Sequence, residues 1–227
     1  MSNKLLYSLG RSAIRLYALL MLRLDIHWQN DLPPGPKLFV ANHPSATDPF
    51  MIHLISPKPM SVLITGSAFK VPVFGSFLRH IKQIPVPHEK GSLALDEARQ
   101  SLQMGGSVMI FPEGSLSPAE GGFLPPRTGA ARLALSTGVP VIPVGIYLRR
   151  ERRLYISTKI GGQRTIGYWY LRGPYGITVG QPVRFEGDVE DWEHVHRISD
   201  TIMARIRALA QESERRMFLL RRVASPA

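Results

Sequence analysis

The chain has 227 residues and a formal net charge of +11, since 28 lysines and arginines oppose 17 aspartates and glutamates. This length suits one substantial domain, and 44% hydrophobic with 20% charged residues excludes a largely disordered chain. The absence of cysteine excludes disulfides, thiol nucleophiles and thiolate metal ligands. The positive charge indicates a polyanionic partner, such as an anionic membrane surface, a phosphate-bearing substrate or nucleic acid. A nucleic-acid role would rest on charge alone, because no zinc-finger spacing or recognition-helix pattern is present, and we expect no such partner.

The first predicted element is a basic amphipathic helix over residues 4–24. Apolar residues recur there at spacings of three and four, with lysine, serine and arginine on the opposite stripe. The uninterrupted apolar part is far shorter than the ~20 residues that cross a bilayer, so we expect the helix to lie in the membrane interface. This segment lacks a small-residue cleavage site, so we do not expect it to be a signal peptide. A helix packed on the core fits the same pattern. We assign residues 1–28 to this membrane-interface helix and residues 29–227 to one domain.

A buried strand predicted over residues 37–41 carries the first candidate site at its end. Asn-His-Pro-Ser breaks this strand and places His43 on a turn. Asp48 and Pro49 are typical of a helix start, with Asp48 as a cap. The chain must double back between them, which can bring Asp48 to the imidazole of His43. A carboxylate on one imidazole nitrogen makes the other a base for a substrate hydroxyl. Taken alone, this spacing is more often a cap and a polar loop residue than a catalytic pair.

Strands and helices alternate along the rest of the chain. Strands are predicted over residues 60–65, 81–86, 107–111 and 139–146, and helices over residues 74–80, 93–104 and 127–137. Further strands are predicted over residues 154–160, 168–170 and 177–185, a solvated basic turn over residues 149–153, and a terminal helix over residues 199–222. This alternation predicts a single α/β domain with a mostly parallel mixed sheet flanked by helices, whose ligands collect at the carboxyl ends of the strands. Glu113 follows a strand as His43 does, so the two side chains can converge.

With both strand ends considered, the chain resembles the glycerolipid acyltransferases typified by 1-acylglycerol-3-phosphate acyltransferase. The Asn-His-x4-Asp block of that family matches residues 42–48, and its Phe-Pro-Glu-Gly-Ser/Thr block matches residues 111–115. Its proline-containing fourth block resembles residues 139–144. The resemblance implies the glycerol-3-phosphate acyltransferase-like fold. It also implies acyl transfer from acyl-CoA or acyl carrier protein to a hydroxyl of a lipid acceptor, by a protein that lies peripherally on the cytoplasmic face of a membrane with anionic lipids.

The resemblance also implies roles for the motif residues. His43 is expected to be the general base and Asp48 its orienting partner, with direct attack of the acceptor hydroxyl on the thioester. Substrate-binding roles are expected for Asn42, Ser45, Glu113, Gly114, Ser115 and Arg127. Glu113 is expected either to hold acceptor hydroxyls or to pair with backbone N–H groups or an arginine. Backbone N–H groups near Gly114 or residues 139–144 are candidates for stabilising the oxyanion. No metal or cofactor is expected, since further metal ligands are lacking.

Two departures from the family pattern concern the acceptor. Leu116 stands where the family commonly has an arginine, and residues 86–89 stand where a second block commonly ends in one. Those arginines are associated with the phosphate of the acceptor, and leucine offers no donor. Candidate substitutes are Lys82, His88, Lys90 and Arg127. A glycolipid, an aminolipid or another hydroxylated acceptor therefore stays open, as does a non-catalytic protein that binds membrane or nucleic acid through its charge.

Overall fold

The computed structural model describes residues 3–87, 91–160 and 163–224, so His88 and Lys90 lie outside the described residues. The α-helices in these ranges are α1 (Asn3–Met21), α2 (Asp48–Met51), α3 (Phe74–His80), α4 (Gly91–Gln103), α5 (Gly129–Thr137) and α6 (Trp192–Ala224). The strands are β1 (Leu22–Trp28), β2 (Leu38–Ala41), β3 (Met60–Thr65), β4 (Ile84–Val86), β5 (Ser107–Ile110), β6 (Val141–Leu148), β7 (Leu154–Ile160), β8 (Gln163–Trp169) and β9 (Gly173–Val179). In these ranges no helix combines the length and the apolar composition needed to cross a bilayer.

Seven of the described strands form one mixed sheet in the order β1-β9-β6-β2-β5-β3-β4. Strands β6, β2, β5, β3 and β4 run parallel to one another. Strand β9 is antiparallel to β6, and β1 is parallel to β9. The prediction of a mostly parallel mixed sheet flanked by helices is confirmed. Strands β7 and β8 pair with each other in a separate antiparallel hairpin.

Helices cover both faces of the sheet, and each face has its own apolar core. Helices α1 and α2 pack on one face, where Ala18 and Met51 contact the cluster around Phe39. Helices α4, α5 and α6 pack on the other, where Ala98, Ala131 and Ile202 join the cluster around Val40. Burial of apolar surface on both faces is the main force that holds the layers together. All four residues of β2 are buried, which explains why that strand is a continuous apolar run in the sequence.

The first helix is shorter than predicted. It ends at Met21, and Leu22–Trp28 form β1, which pairs with β9 along its whole length. The leucine spacing of α1 continues to Leu24 and conceals a period-two pattern, in which apolar residues alternate with Arg23, Asp25 and His27. Residues 22–28 are therefore an edge strand of the sheet and not part of the N-terminal helix.

Three later elements also differ from their predicted bounds. Strand β4 begins only at Ile84, because Lys82 adopts a positive φ of 57° in the turn before it. Strand β9 begins at Gly173 and ends at Val179, before the Gly-Gln-Pro sequence that removes a backbone donor. Helix α6 begins at Trp192, seven residues earlier than its apolar stripe predicts.

The residues of the candidate site lie along one edge of the sheet. Strands β2, β5 and β6 end there, and because β9 is antiparallel to β6, strands β9 and β1 begin there. We call it the carboxyl edge. The residues after β2 and β5 and the first residues of β9 therefore meet in space, although they are far apart in the sequence.

Candidate active site

A tight turn after β2 brings His43 and Asp48 together. The Oδ2 atom of Asp48 lies 3.0 Å from Nδ1 of His43 and accepts the backbone N–H of Ser45 at 2.8 Å. The predicted cap is not formed. Thr47 is the N-cap residue and makes no side-chain cap bond, while Asp48 lies within the first turn of α2 and directs its carboxylate back to the turn.

The carboxylate of Asp48 is fully buried and is held by three donors. Besides His43 and Ser45, the hydroxyl of Tyr175 donates to Oδ1 at 2.6 Å. A buried carboxylate needs such donors to remain charged. Burial raises the pKa of Tyr175 well above its usual value, so its hydroxyl stays protonated and keeps its donor role. Tyr175 is the third residue of β9 and lies 127 residues from Asp48 in the sequence, so no local pattern indicates this contact.

The imidazole of His43 has one nitrogen committed and one free. Because the carboxylate of Asp48 accepts, Nδ1 carries the hydrogen and Nε2 carries the lone pair. Within the described residues, no protein group bonds to Nε2, and the side chain is 16% exposed. The ring stacks on Phe111 at a centroid distance of 4.1 Å and an interplanar angle of 16°. His43 is therefore held in one orientation with an accessible base.

Glu113 connects two loops of the protein. Its Oε1 accepts the backbone N–H of His43 at 3.0 Å and the hydroxyl of Ser117 at 2.7 Å, and its Oε2 accepts the N–H of Leu124 at 2.8 Å. The backbone N–H of Ser117 in turn donates to the carbonyl of His43 at 2.8 Å. Both oxygens of this buried carboxylate are thus occupied by protein donors. Of the roles that the sequence left open, the geometry matches pairing with backbone N–H groups.

Asn42 and Ser45 also bond to the protein itself. The amide of Asn42 donates to the carbonyl of Ile146 and accepts its N–H, each at 2.8 Å, which ties the end of β2 to β6. The hydroxyl of Ser45 donates to the carbonyl of Tyr168 at 2.9 Å and accepts the N–H of Thr47 at 3.1 Å. Both side chains are buried. Their contacts fix the turn and leave no polar atom directed to solvent.

Arg127 lies beside the Glu-Gly-Ser segment. Gly114 has a φ of 69°, and a Cβ atom there would collide with the Nε and Cδ atoms of Arg127. The guanidinium is exposed, and none of the ion pairs formed within the described ranges includes it. Ser115 is exposed on the same loop. The backbone N–H of Gly114 donates to the carbonyl of Phe111 at 2.9 Å, so it is already engaged and is not a free oxyanion donor.

Arg153 is a site residue that sequence reasoning missed. Its guanidinium donates to the carbonyl of Pro44 at 2.9 Å and to that of Ala119 at 2.6 Å, and it lies 4.9 Å from the ring centre of Tyr168. The side chain therefore connects the turn after β2 with the loop after β5. Burial, which is the largest of several influences, lowers the pKa of Arg153. The prediction of a merely solvated basic turn is wrong for this residue, because its guanidinium is bonded to two backbone carbonyls. Sequence reasoning missed these contacts because the partners lie far away in the sequence.

The fold and the site together define an α/β protein with a carboxylate-held histidine base at the carboxyl edge of its sheet. Comparison with known proteins gives the family. A family model described as Acyltransferase matches residues 23–147, which is more than half of the chain, and the chain belongs to this family. The matched segment contains both His43 and Glu113.

Curated relatives are similar to this chain over slightly more than half of its length. The 1-acyl-sn-glycerol-3-phosphate acyltransferase of Pseudomonas aeruginosa is 30% identical over 129 residues, which cover 54% of this chain and 49% of that protein. The enzyme of the same description from Saccharomyces cerevisiae is 31% identical over 132 residues, 55% of this chain and 44% of that protein. The lyso-ornithine lipid O-acyltransferase of Pseudomonas aeruginosa is 30% identical over 135 residues, 57% of this chain and 50% of that protein. The similarity thus spans about half the length of these relatives.

A solved structure supports the fold over nearly the whole chain. The crystal structure of the 1-acyl-sn-glycerophosphate (LPA) acyltransferase PlsC from Thermotoga maritima superposes with a TM-score of 0.62. The superposition covers 94% of this chain and 78% of that chain at 20% sequence identity. At this level of identity the similarity concerns the fold, including the helices that flank the sheet.

Proposed function

We propose that the protein is an O-acyltransferase that moves a fatty acyl group from acyl-CoA or acyl carrier protein to a hydroxyl of a lysophospholipid or another glycerolipid precursor. The observation that carries this proposal is the 3.0 Å contact between His43 Nδ1 and Asp48 Oδ2, which leaves Nε2 as the accessible base. Membership of the Acyltransferase family supports acyl transfer as the chemistry.

In the proposed reaction, Nε2 of His43 takes the proton from the acceptor hydroxyl as the hydroxyl oxygen attacks the thioester carbon. The new C–O bond forms a tetrahedral intermediate, whose collapse breaks the C–S bond. The thiolate of the carrier leaves and receives the proton from the imidazolium, so the products are an ester and a free thiol. No acyl-enzyme is formed. Asp48 stabilises the imidazolium, and the hydroxyl of Tyr175 keeps Asp48 in place.

An apolar groove between α1, the start of α2 and the end of β8 supports an acyl substrate. The groove has a volume of about 280 Å³ and is lined by Ala13, Ile14, Tyr17, Thr47, Phe50, Met51, Trp169 and Leu171. Thr47 immediately precedes Asp48, so the groove reaches the start of α2. Its lining of aliphatic and aromatic side chains suits the burial of a hydrocarbon chain. We propose that the acyl chain lies here.

The proposed place of action is the cytoplasmic face of a membrane, to which the protein binds peripherally. Helix α1 supports this, because its outward side presents the large apolar side chains Leu5, Leu9, Leu16, Leu19 and Leu20 to solvent. The net charge of +11 suits the anionic lipids of the cytoplasmic leaflet. A membrane location also fits the chemistry, since neither a lysolipid acceptor nor a diacyl product leaves a bilayer readily.

Two acceptor classes are supported by different observations. Exposed Arg127 beside Gly114 favours a phosphate-bearing acceptor, because a guanidinium can bind phosphate through two hydrogen bonds. Leu116 at the position of the usual arginine favours an acceptor without that phosphate, as does the similarity to a lyso-ornithine lipid O-acyltransferase. An aminolipid is therefore the second candidate.

Release of free thiol from acyl-CoA or acyl carrier protein tests the proposal. Purified protein is assayed against a panel of lysophosphatidate, other lysophospholipids, glycolipids and lyso-aminolipids, with the thiol and the ester product both measured. We expect one acceptor class to raise thiol release far above the rate without acceptor. The proposal fails if no acceptor on either donor does so and the protein instead forms a salt-dependent complex with nucleic acid.

A further inference from the structure

The hairpin of β7 and β8 carries an exposed apolar surface that the catalytic proposal does not explain. Its strands pair from Leu154 with Trp169 to Ile160 with Gln163, outside the main sheet. Leu154, Tyr155, Ile156 and Ile166 are each 40–55% exposed. Leu154 and Ile156 lie on one face of the hairpin, and Tyr155 and Ile166 lie on the other, because Ile166 pairs with Ser157. Both faces therefore expose large apolar side chains, which in a folded monomer indicates a contact surface. We call these four residues the hairpin surface.

The base of the hairpin is bonded to the turn that carries His43 and Asp48. The carbonyl of Tyr168 accepts both the hydroxyl of Ser45 and the backbone N–H of Ala46 at 2.9 Å. The hydroxyl of Thr47 donates to the carbonyl of Tyr170 at 3.1 Å and accepts its N–H at 3.0 Å. These hydrogen bonds therefore fix the position of the turn relative to the hairpin.

The hairpin and α1 form the two sides of the apolar groove. Ala13, Ile14 and Tyr17 line it from α1, and Trp169 and Leu171 line it from the end of the hairpin. The hydroxyl of Tyr17 donates to the carbonyl of Leu171 at 2.5 Å and joins the two sides. Beyond the groove, the leucines at positions 16, 19 and 20 of α1 are 56–78% exposed. Two exposed apolar elements thus flank one groove.

The residues around the hairpin are mainly basic, which suits an anionic partner surface. Four arginines precede β7 at positions 149, 150, 152 and 153, with Glu151 as the one acid among them, and Arg172 follows β8. Arg152 and Arg172 are exposed. Basic residues around an exposed apolar surface match the head groups and chains of a bilayer that contains anionic lipid.

We propose that the β7–β8 hairpin is a second membrane-inserting element, which acts with α1 to place the groove against a bilayer containing anionic lipid. The proposal rests on the proposed function, because the groove then receives the acyl chain from the bilayer without its exposure to water. Because the hairpin is hydrogen-bonded to residues 45–47, its insertion would place the histidine–carboxylate pair close to the bilayer surface.

The three tryptophans of the chain give a direct test, because they lie in different places. Trp169 lines the groove. Trp28 ends β1 and therefore lies at the edge of the sheet opposite the carboxyl edge. Trp192 begins α6, which packs on the other face of the sheet from α1. Only Trp169 should approach lipid chains if the groove faces the bilayer.

The probe is vesicles of phosphatidylcholine and phosphatidylglycerol whose acyl chains are brominated and quench tryptophan fluorescence. We expect quenching of the wild-type protein relative to unbrominated vesicles. The double variant W28F/W192F should retain the quenching, and W169F should lose most of it. Quenching that persists in W169F, or that is absent from W28F/W192F, overturns the proposal.

Vesicle co-sedimentation tests the hairpin surface itself. The variant Y155D/I166D should bind the same vesicles roughly tenfold or more weakly, because two apolar side chains that enter the lipid are replaced by charges. The control is M104D, since Met104 is 79% exposed at the end of α4 and lies on the other face of the sheet. If a folded Y155D/I166D binds the vesicles as the wild type does, the proposal is overturned. If this variant changes its oligomeric state but not its vesicle binding, the hairpin surface instead contacts a second copy of the chain, and the proposal is likewise overturned.

The catalytic proposal is separated from this one by H43A. This variant should bind vesicles as the wild type does, because His43 has no part in the hairpin surface. Suppose that Y155D/I166D loses vesicle binding and that the wild-type protein transfers no acyl group from either donor. The membrane-binding inference then stands, and the proposed function falls.

Discussion

Glu113→Gln distinguishes a side chain that holds the protein together from one that holds a substrate. Three donors converge on the carboxylate: the backbone N–H groups of His43 and Leu124 and the hydroxyl of Ser117. A glutamine amide can accept at only one of the two oxygen positions. At the other position, its NH2 group faces a donor and the hydrogen bond is lost.

The size of the effect follows from these contacts. A hydrogen bond to a charged group contributes about 1.5–3 kcal/mol, and a neutral one about half as much. Glu113→Gln removes at least one charged hydrogen bond and weakens the remainder, so we expect the free energy of unfolding to fall by about 2–4 kcal/mol. Release of the backbone of His43 should also lower kcat by ~10-fold or more, because the proposed base loses its position.

Urea denaturation and steady-state kinetics of acyl transfer measure the two effects. Glu120→Gln is the matched control, since Glu120 is exposed in the same loop, and its unfolding free energy should change by less than about 0.5 kcal/mol. The reasoning is refuted if Glu113→Gln unfolds at the wild-type urea concentration and only raises the KM for the acceptor. That result would place Glu113 on the substrate.

Three further substitutions test two contacts of the site and the buried side chain of His53, whose Nδ1 lies 3.0 Å from the hydroxyl of Tyr7. Tyr175→Phe removes the donor to Asp48 and keeps the ring, so kcat should fall by roughly 10- to 100-fold, or about 1.5–3 kcal/mol, with little change in KM; an unchanged kcat would contradict the role given to Tyr175. Burial, with a smaller contribution from Arg11, lowers the pKa of His53 from 6.5 to about 4, so below pH 6.5 the unfolded chain binds a proton that the folded chain does not. The contribution of His53 to the unfolding free energy should therefore be constant above pH 6.5 and fall by about 3 kcal/mol as the pH falls to 4. Urea titrations across this range should show the slope in the wild type and a smaller slope in His53→Gln; equal slopes would refute this explanation. Arg127→Gln should raise the KM for a phosphate-bearing acceptor by ~10-fold or more and leave the urea midpoint unchanged; an unaltered KM with such an acceptor would remove Arg127 from phosphate binding.

The strands that position the candidate site could be predicted because they are parallel and buried on both faces. Strand β2 is apolar throughout, and Asn-His-Pro-Ser ends it clearly, so the turn at His43 is evident from local residues. The end of β5 before Glu113 is evident for the same reason. In both cases the information lies within a few residues of the site.

Contacts between distant residues could not be predicted in this way. Tyr175 and Asp48 are 127 residues apart, and Arg153 and Pro44 are 109 residues apart. Each contact depends on the antiparallel placement of β9 or on the hairpin, which a single sequence does not reveal. Strand β1 was concealed for a different reason, because its leucines continue the spacing of the preceding helix.

The central claim is that His43 is the general base, and the rate of acyl transfer by His43→Ala tests it most directly. The control is His80→Ala, which removes an exposed histidine at the end of α3. With both variants folded as judged by urea denaturation, we expect His43→Ala to lose roughly 10²- to 10⁴-fold in kcat and His80→Ala to keep the wild-type rate. A wild-type rate of transfer by His43→Ala to the true acceptor would contradict the account.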